Sequence, residues 1–170
     1  MNELQLRLIE EHELEEALRL EQSCYSAEAA ATQEGFAHRF NRYPNYFWSA
    51  WLGEKLVGIA NGVRTSATQC GDDLKGEQKD TKEGNNFCIL TIAVDPEVRH
   101  QRIGTQLLKK LIEECTVKEH SFMLLMCERH LVRFYEQAGF QYMGLAASNH
   151  GGIEWYEMRR PMHTMEHPTE

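Results

Sequence analysis

At 170 residues the chain is long enough to bury one sizeable core, and its 42% hydrophobic and 26% charged content is ordinary for a globular domain. A formal charge of −8 argues against nucleic acid or an anionic membrane as the main partner and would draw in a cationic substrate such as an amine. No stretch nears the roughly 20 apolar residues of a membrane span, and the opening MNELQLRLIEEHELEEAL is too charged for a signal peptide. The cysteines, Cys24, Cys70, Cys88, Cys115 and Cys127, are odd in number and lack C-x-x-C spacing, which predicts reduced thiols in a cytoplasmic protein. Cys127 and His130 have no second pair to complete a zinc site, so no metal is expected.

Residues 4–9 alternate apolar and polar positions and predict a first strand. Residues 11–21, rich in Glu, Leu and Ala, predict a short amphipathic helix. Ser26 reads as the cap of a second helix, with Glu28 early in it and its end near Arg42. That helix carries Phe36, Phe40 and Tyr43 on one face, with Phe36 and Phe40 expected in the core. Residues 46–52 and 56–63 are β-rich runs parted by Gly53-Glu54-Lys55, a hairpin signal. Residues 65–86 are polar, with Gly71, Gly76 and Gly84, and read as a long mobile loop.

Residues 87–94 form an almost unbroken apolar run, a strand covered on both faces. The helix expected over residues 103–117 buries Leu107, Leu108, Leu111 and Ile112. Residues 121–127 predict a second buried strand, and residues 131–138 a short helix stopped by Gly139. Strands over 140–145 and 154–160, joined through Gly151-Gly152, complete a single domain spanning 1–170, with 161–170 as a frayed tail. The order βααβββαβαββ predicts an α/β fold: a mixed sheet with helices on both faces.

The segment LTIAVDPEVRHQRIGTQLLKKLIEE, residues 90–114, is the most informative. A strand ends at Asp95-Pro96, a short basic turn follows, and an amphipathic helix begins beside Gly104. A helix start leaves backbone N–H groups without partners and adds the positive end of the helix dipole, so the turn is a phosphate cradle. Arg99, His100, Gln101 and Arg102 ring it with further donors. Neither the G-x-x-x-x-G-K-[ST] loop nor a three-glycine dinucleotide fingerprint is present. The run Val94-Asp95-Pro96-Glu97-Val98-Arg99-His100-Gln101-Arg102-Ile103-Gly104 resembles the acetyl-CoA motif of the GNAT N-acetyltransferase superfamily, V-x-P-x-x-R-x-x-G-x-G/A. Arg102 stands where the first glycine is usual, and a non-glycine residue there is expected to avoid positive φ.

The resemblance implies the GNAT fold, whose central sheet splays between two central strands, here those starting near residues 87 and 121. Acetyl-CoA, as co-substrate, would insert into the splay and bond free strand backbone. Ile92, Ala93, Val94, His100, Gln101, Arg102, Ile103, Gly104 and Thr105 are the positions it implies for cofactor binding.

A second stretch, LLMCE (124–128) followed by LVRFYEQAGF (131–140), is similar to the arylalkylamine (serotonin) N-acetyltransferases, as are LEQSCY (20–25) and the hairpin over 48–62. The match in element order runs from about residue 4 to residue 160. This resemblance implies acetyl transfer to the primary amine of a small arylalkylamine by direct attack. Tyr135 would act as general acid toward the leaving thiolate, with Tyr25 and Met126 in the amine pocket. Pineal members carry an H-x-H pair in the central strand as a proton relay. The matching positions here are Cys88 and Leu90, so the chain resembles the non-pineal type. Glu128, at the end of its strand, is the best-placed proton acceptor, with Glu21 or an ordered water as others. The charge keeps a polyamine, peptide or lysine acceptor open, and the missing His pair keeps open a catalytically weak acyl-CoA-binding module. The oligomeric state is not legible.

Overall fold

The structure, a computed structural model, describes residues 3–25, 30–70, 84–147 and 152–162, the side chain of His100 excepted. The chain opens with β1 (Leu4–Leu8) and two helices, α1 (Leu14–Cys24) and α2 (Gln33–Arg42). β2 (Trp48–Leu52) turns at Gly53 (φ 62°) into β3 (Lys55–Thr65), and β3 pairs antiparallel with β4 (Asn86–Val94). α3 (Ile103–Val117) crosses to β5 (Phe122–Cys127), and the short α4 (Val132–Glu136) precedes β6 (Gln141–Leu145) and β7 (Tyr156–Pro161). The result is one seven-stranded mixed sheet in the order β1-β2-β3-β4-β5-β7-β6.

Each face of the sheet carries its own core. On one, Ile103, Leu107, Leu108 and Leu111 of α3 pack over Val57, Ala60 and Val63. On the other, Ala17 of α1 and Phe36 of α2 meet Phe47, Trp51, Ile59 and Ala93. Gly58 lets α3 approach the sheet, since a Cβ there would lie 2.9 Å from Leu107 and 3.0 Å from Ile103.

The central strands separate as expected. β4 and β5 pair in parallel only at Asn86–Phe122, Phe87–Met123 and Cys88–Leu124. Immediately beyond, β4 bulges: Asn61 faces Thr91 but Gly62 faces Ile89, which leaves Leu90 as the extra residue. The bulge presses β4 onto β3, where a Cβ on Gly62 would meet the Cys88 carbonyl at 2.1 Å. It also turns the rest of β4 away from β5, opening a fork.

Several local expectations give way. α1 runs on to Cys24, and the cap of α2 is Thr32, whose side chain accepts from the Gly35 N–H at 3.0 Å. Ser26 and Glu28 lie outside the described residues. Residues 44–46 form a 3-10 turn rather than the start of a strand, because Pro44 fixes the first φ of the turn. β3 extends through Thr65, so the expected loop is shorter at its start. Most of that loop (71–83) and of the tail (163–170) lies outside the described residues, and the expected mobility of the one and fraying of the other with them. Ile112 is only partly buried, and Ile103 and Cys115 complete the buried face of α3.

The cysteine expectation is corrected. Cys70 and Cys88 form a disulfide with a Cα–Cα distance of 6.2 Å, while Cys24, Cys115 and Cys127 are free. Spacing could not reveal it, because the chain after β3 folds back on itself. The Ala67 N–H donates to Thr65 Oγ1 at 3.0 Å, and Asn86 Nδ2 donates to the Ala67 carbonyl at 2.9 Å. Alkylation in denaturant without reductant should therefore label three thiols, and five after reduction. Closing a loop of this length predicts a loss of roughly 3 kcal/mol in unfolding free energy on reduction. An unchanged urea midpoint would count against the bridge. Among the described residues, no helix is long and apolar enough to cross a membrane.

Candidate active site

The outer half of the fork is a groove whose floor is Ile92, Ala93 and Val94 of β4 and whose far wall is Leu131, Phe134 and Tyr135 near and on α4. Its mouth is the turn between β4 and α3. Asp95 starts that turn by accepting from the Glu97 N–H at 3.0 Å, a bond that holds its carboxyl below the usual range with help from Lys55, 3.2 Å away. Arg99 Nε donates to the Val94 carbonyl at 3.1 Å, which fixes the guanidinium at the groove edge. Gly104 keeps the passage open. A Cβ there would already sit 3.7 to 3.9 Å from Val94, Phe134 and Ile92, so a longer side chain would fill the groove between β4 and α4.

Of the positions expected to hold the cofactor, Ile92, Ala93, Val94, Arg102, Gly104 and Thr105 line this groove. Ile103 does not: its side chain is fully buried in the core under α3, leaving only its backbone at the helix start. Gln101 is exposed in the turn and does not line the groove, and the side chain of His100 lies outside the described residues.

Arg102 contradicts the sequence expectation outright. It adopts φ 59° and ψ 28°, the left-handed region that a glycine would favour. The chain reverses at this residue before α3 begins, and Arg102 lines the groove mouth. Left-handed backbone costs a non-glycine residue roughly 1–2 kcal/mol, and glycine gives back part of that through unfolded-state entropy. Arg102→Gly should therefore leave stability unchanged or raise it by up to about 1 kcal/mol. The same variant should bind CoA more weakly, with a shallower salt dependence. Urea unfolding and CoA titration at two ionic strengths check both halves, and a clear loss of stability would contradict the strain.

Past the groove lies an inner cavity bounded by Leu90 and Thr91 of β4, Leu125 and Met126 of β5, and Trp155 ahead of β7. Tyr25, Glu128 and Tyr135 line both spaces and mark where they meet. Tyr135 is held by edge-on contacts with Phe134 (4.9 Å) and Phe140 (5.7 Å). Burial, then the neighbouring Tyr25 and Cys127, push its phenol pKa well up, so it stands as a protonated donor. Tyr25 is likewise pushed up, by burial and then Glu21. The Cys127 thiol is pushed up to about 12 by burial and then Glu128, so it is no nucleophile at neutral pH.

The two carboxylates facing the cavity differ in how they are engaged. Glu21 is buried, with one oxygen accepting from the Thr91 hydroxyl at 2.5 Å and the other from the Ala31 N–H. Behind it, Arg39 donates to Asn61 Oδ1 at 2.9 Å and to Thr91 Oγ1 at 3.2 Å. Burial lowers the Arg39 pKa to about 10 against the opposing pull of Glu21. Glu21 is thus part of a closed buried network. Glu128 is about one-third exposed, and its Oε1 lies 3.4 Å from His130 Nδ1.

The structure therefore brings Tyr25, Met126, Glu128 and Tyr135 together around one cavity. At the positions where the arylalkylamine resemblance would place a His pair, Cys88 is tied in the disulfide and Leu90 is an apolar bulge residue, so neither moves a proton. Sequence reasoning missed Trp155, Thr91 and Arg39. Trp155 sits in an irregular segment with no periodicity to place it, and Arg39 reads as the charged side of an amphipathic helix.

A family profile described as the acetyltransferase (GNAT) family matches residues 10–140. No curated protein sequence matches the chain. Among solved structures, the loading GNATL domain of CurA from Lyngbya majuscula is 16% identical, with 95% of this chain and 98% of that one covered at a TM-score of 0.82. The ribosomal-protein-S18-alanine N-acetyltransferase of Escherichia coli is 18% identical over 99% of both chains, at a TM-score of 0.68. An Arabidopsis thaliana protein in complex with the bisubstrate analogue CoA-Ac-MVNAL is 14% identical, covering 92% and 97%, at a TM-score of 0.73. At these identities the likeness is one of fold.

Proposed function

The chain belongs to the GNAT acetyltransferase family and is an acyltransferase, and we propose that it transfers the acetyl group of acetyl-CoA to the primary amine of a small arylalkylamine. The observation that carries this reading is the junction of groove and cavity at Tyr25, Glu128 and Tyr135.

The groove fits CoA on its own chemistry. β4 beyond Cys88 has no β5 partner, so its edge is free to bond the amides of a pantetheine arm. The start of α3, with Arg99 and Arg102 beside it, suits a pyrophosphate. Bound there, acetyl-CoA would present its thioester to the inner cavity. Glu128 takes a proton from the ammonium group, which frees the nitrogen lone pair to attack the thioester carbonyl. Tyr135 gives its phenolic proton to the departing sulfur. A base is needed because an amine of pKa about 10 is only about 0.1% neutral at pH 7, worth roughly 4 kcal/mol. Glu128 suits that role better than Glu21, whose oxygens already accept from Thr91 and Ala31.

The cavity walls favour an aryl group. Trp155, Tyr25, Leu125 and Met126 offer aromatic and apolar surface, while Glu128 supplies charge at the end nearest the groove. An arylalkylamine spans those two ends with its ring and its ammonium group. Trp155→Ala should lower kcat/KM for tryptamine and phenethylamine at least about tenfold and change that for spermidine much less. Equal losses for all amines, or a gain with a peptide N-terminus, would argue for the wider acceptors that the Escherichia coli relative's name suggests.

A further inference from the structure

Amine acetylation starting from the ammonium form releases one proton per turnover. The nitrogen gives up two of its three protons: one replaces the proton that Tyr135 gave to the CoA thiolate, and the other must reach solvent. The reading of Glu128 as base, on which the following rests, puts that proton on a side chain that is only about one-third exposed and lines the groove CoA would fill. Tyr135 is buried. Glu21 is closed off by Thr91 and Ala31. The family's relay positions hold Cys88 in a disulfide and the apolar Leu90.

Glu128 has an outlet on the other wall. Its Oε1 lies 3.4 Å from Nδ1 of His130, whose side chain is 70% exposed. His130 also lines the outer groove, so it spans the distance from the cavity's carboxylate to water. Cys24, Tyr25, Arg99, Arg102 and Tyr135 are the other titratable or charged groups on the walls of this groove. The tyrosines are held protonated by burial. The arginines carry no free lone pair to accept a proton.

We infer that His130 is the proton outlet of this enzyme. Glu128 passes the ammonium proton to Nδ1 of His130 in its Nε2–H tautomer, the imidazolium gives its Nε2 proton to solvent, and proton exchange with water restores the starting tautomer. His130 touches no reacting atom and acts through Glu128, as a positioning and relay residue. The relay replaces, from the β5–α4 side, what the His pair does from β4 in the pineal enzymes.

Chemical rescue tests this directly. With the fastest amine, at constant pH and ionic strength, His130→Ala should lower kcat about tenfold, less than the roughly hundredfold or more of a group that transfers the proton at the reacting atom. KM for the amine and for acetyl-CoA should stay within about twofold. Added imidazole should restore turnover in proportion to its concentration in the variant and leave the wild type unchanged. Wild-type turnover in His130→Ala, or a slow variant that imidazole does not accelerate, would overturn the inference. Glu128→Gln separates the two claims. If it is slow with and without imidazole while His130→Ala is unaffected, the base stands and the outlet falls. If Glu128→Gln turns over normally, the base assignment falls and the outlet with it.

Discussion

Tyr135→Phe is expected to lower kcat by about 100-fold while CoA binding stays within about twofold. The phenol is buried between Phe134 and Phe140 at the junction of the two spaces, and its neighbours keep it protonated. Phe preserves both ring contacts and removes only the proton, so packing should change little. Tyr25, the other phenol at the junction, faces the carboxylates of Glu21 and Glu128. The loss should appear in kcat and kcat/KM alike, as for an interaction made in the transition state. Unchanged turnover with normal CoA affinity would remove Tyr135 from the chemistry and leave it a packing residue.

Arg39→Met is expected to destabilise the protein by about 3–5 kcal/mol, the usual effect of removing one member of a buried charge pair. Arg39 is 2% exposed, and its guanidinium ties α2 to Asn61 of β3 and Thr91 of β4. Without it, Glu21 loses the positive charge that faces it, and Asn61 and Thr91 each lose a donor. Glu21→Gln placed on top of Arg39→Met should recover part of the loss, because the orphaned charge is then gone. Urea unfolding of the two single variants and the double variant measures the coupling. Additive losses would show that the two residues stabilise the fold independently. The same network holds Thr91 and Glu21 in the cavity wall, so the stable double variant should also show weaker amine selection.

How far the sequence reached depends on which forces act locally. The bounds of α3 were legible to the residue, because periodic Leu107, Leu108 and Leu111 follow a turn marked by Asp95-Pro96. The unbroken apolar runs of β4 and β5 likewise announced central strands, and the element order followed from them. The groove residues on β4 and in the turn were legible through a motif whose chemistry is local. What escaped notice depends on distant parts of the chain meeting. Cys70 reaches Cys88 only because residues after β3 double back. Glu21 and Arg39 are ordinary helix charges until Thr91 joins them across the sheet. The left-handed backbone of Arg102 is a case of tertiary demand overriding residue preference. α1 is shifted three residues from its expected bounds of 11–21, and α2 starts at Gln33 with Thr32 rather than Ser26 as its cap.

The most direct measurement is CoA-thiol release from acetyl-CoA with tryptamine, phenethylamine, spermidine and an unblocked peptide, from about pH 7 to about pH 9. Release with the two arylalkylamines well above the others is expected, with a rate that rises less than the about tenfold per pH unit demanded by a free-base amine. Preference for spermidine or the peptide would keep the fold and the CoA groove but contradict the acceptor. CoA bound without release for any of the four amines would contradict catalysis on amines of these kinds and leave an acyl-CoA-binding module.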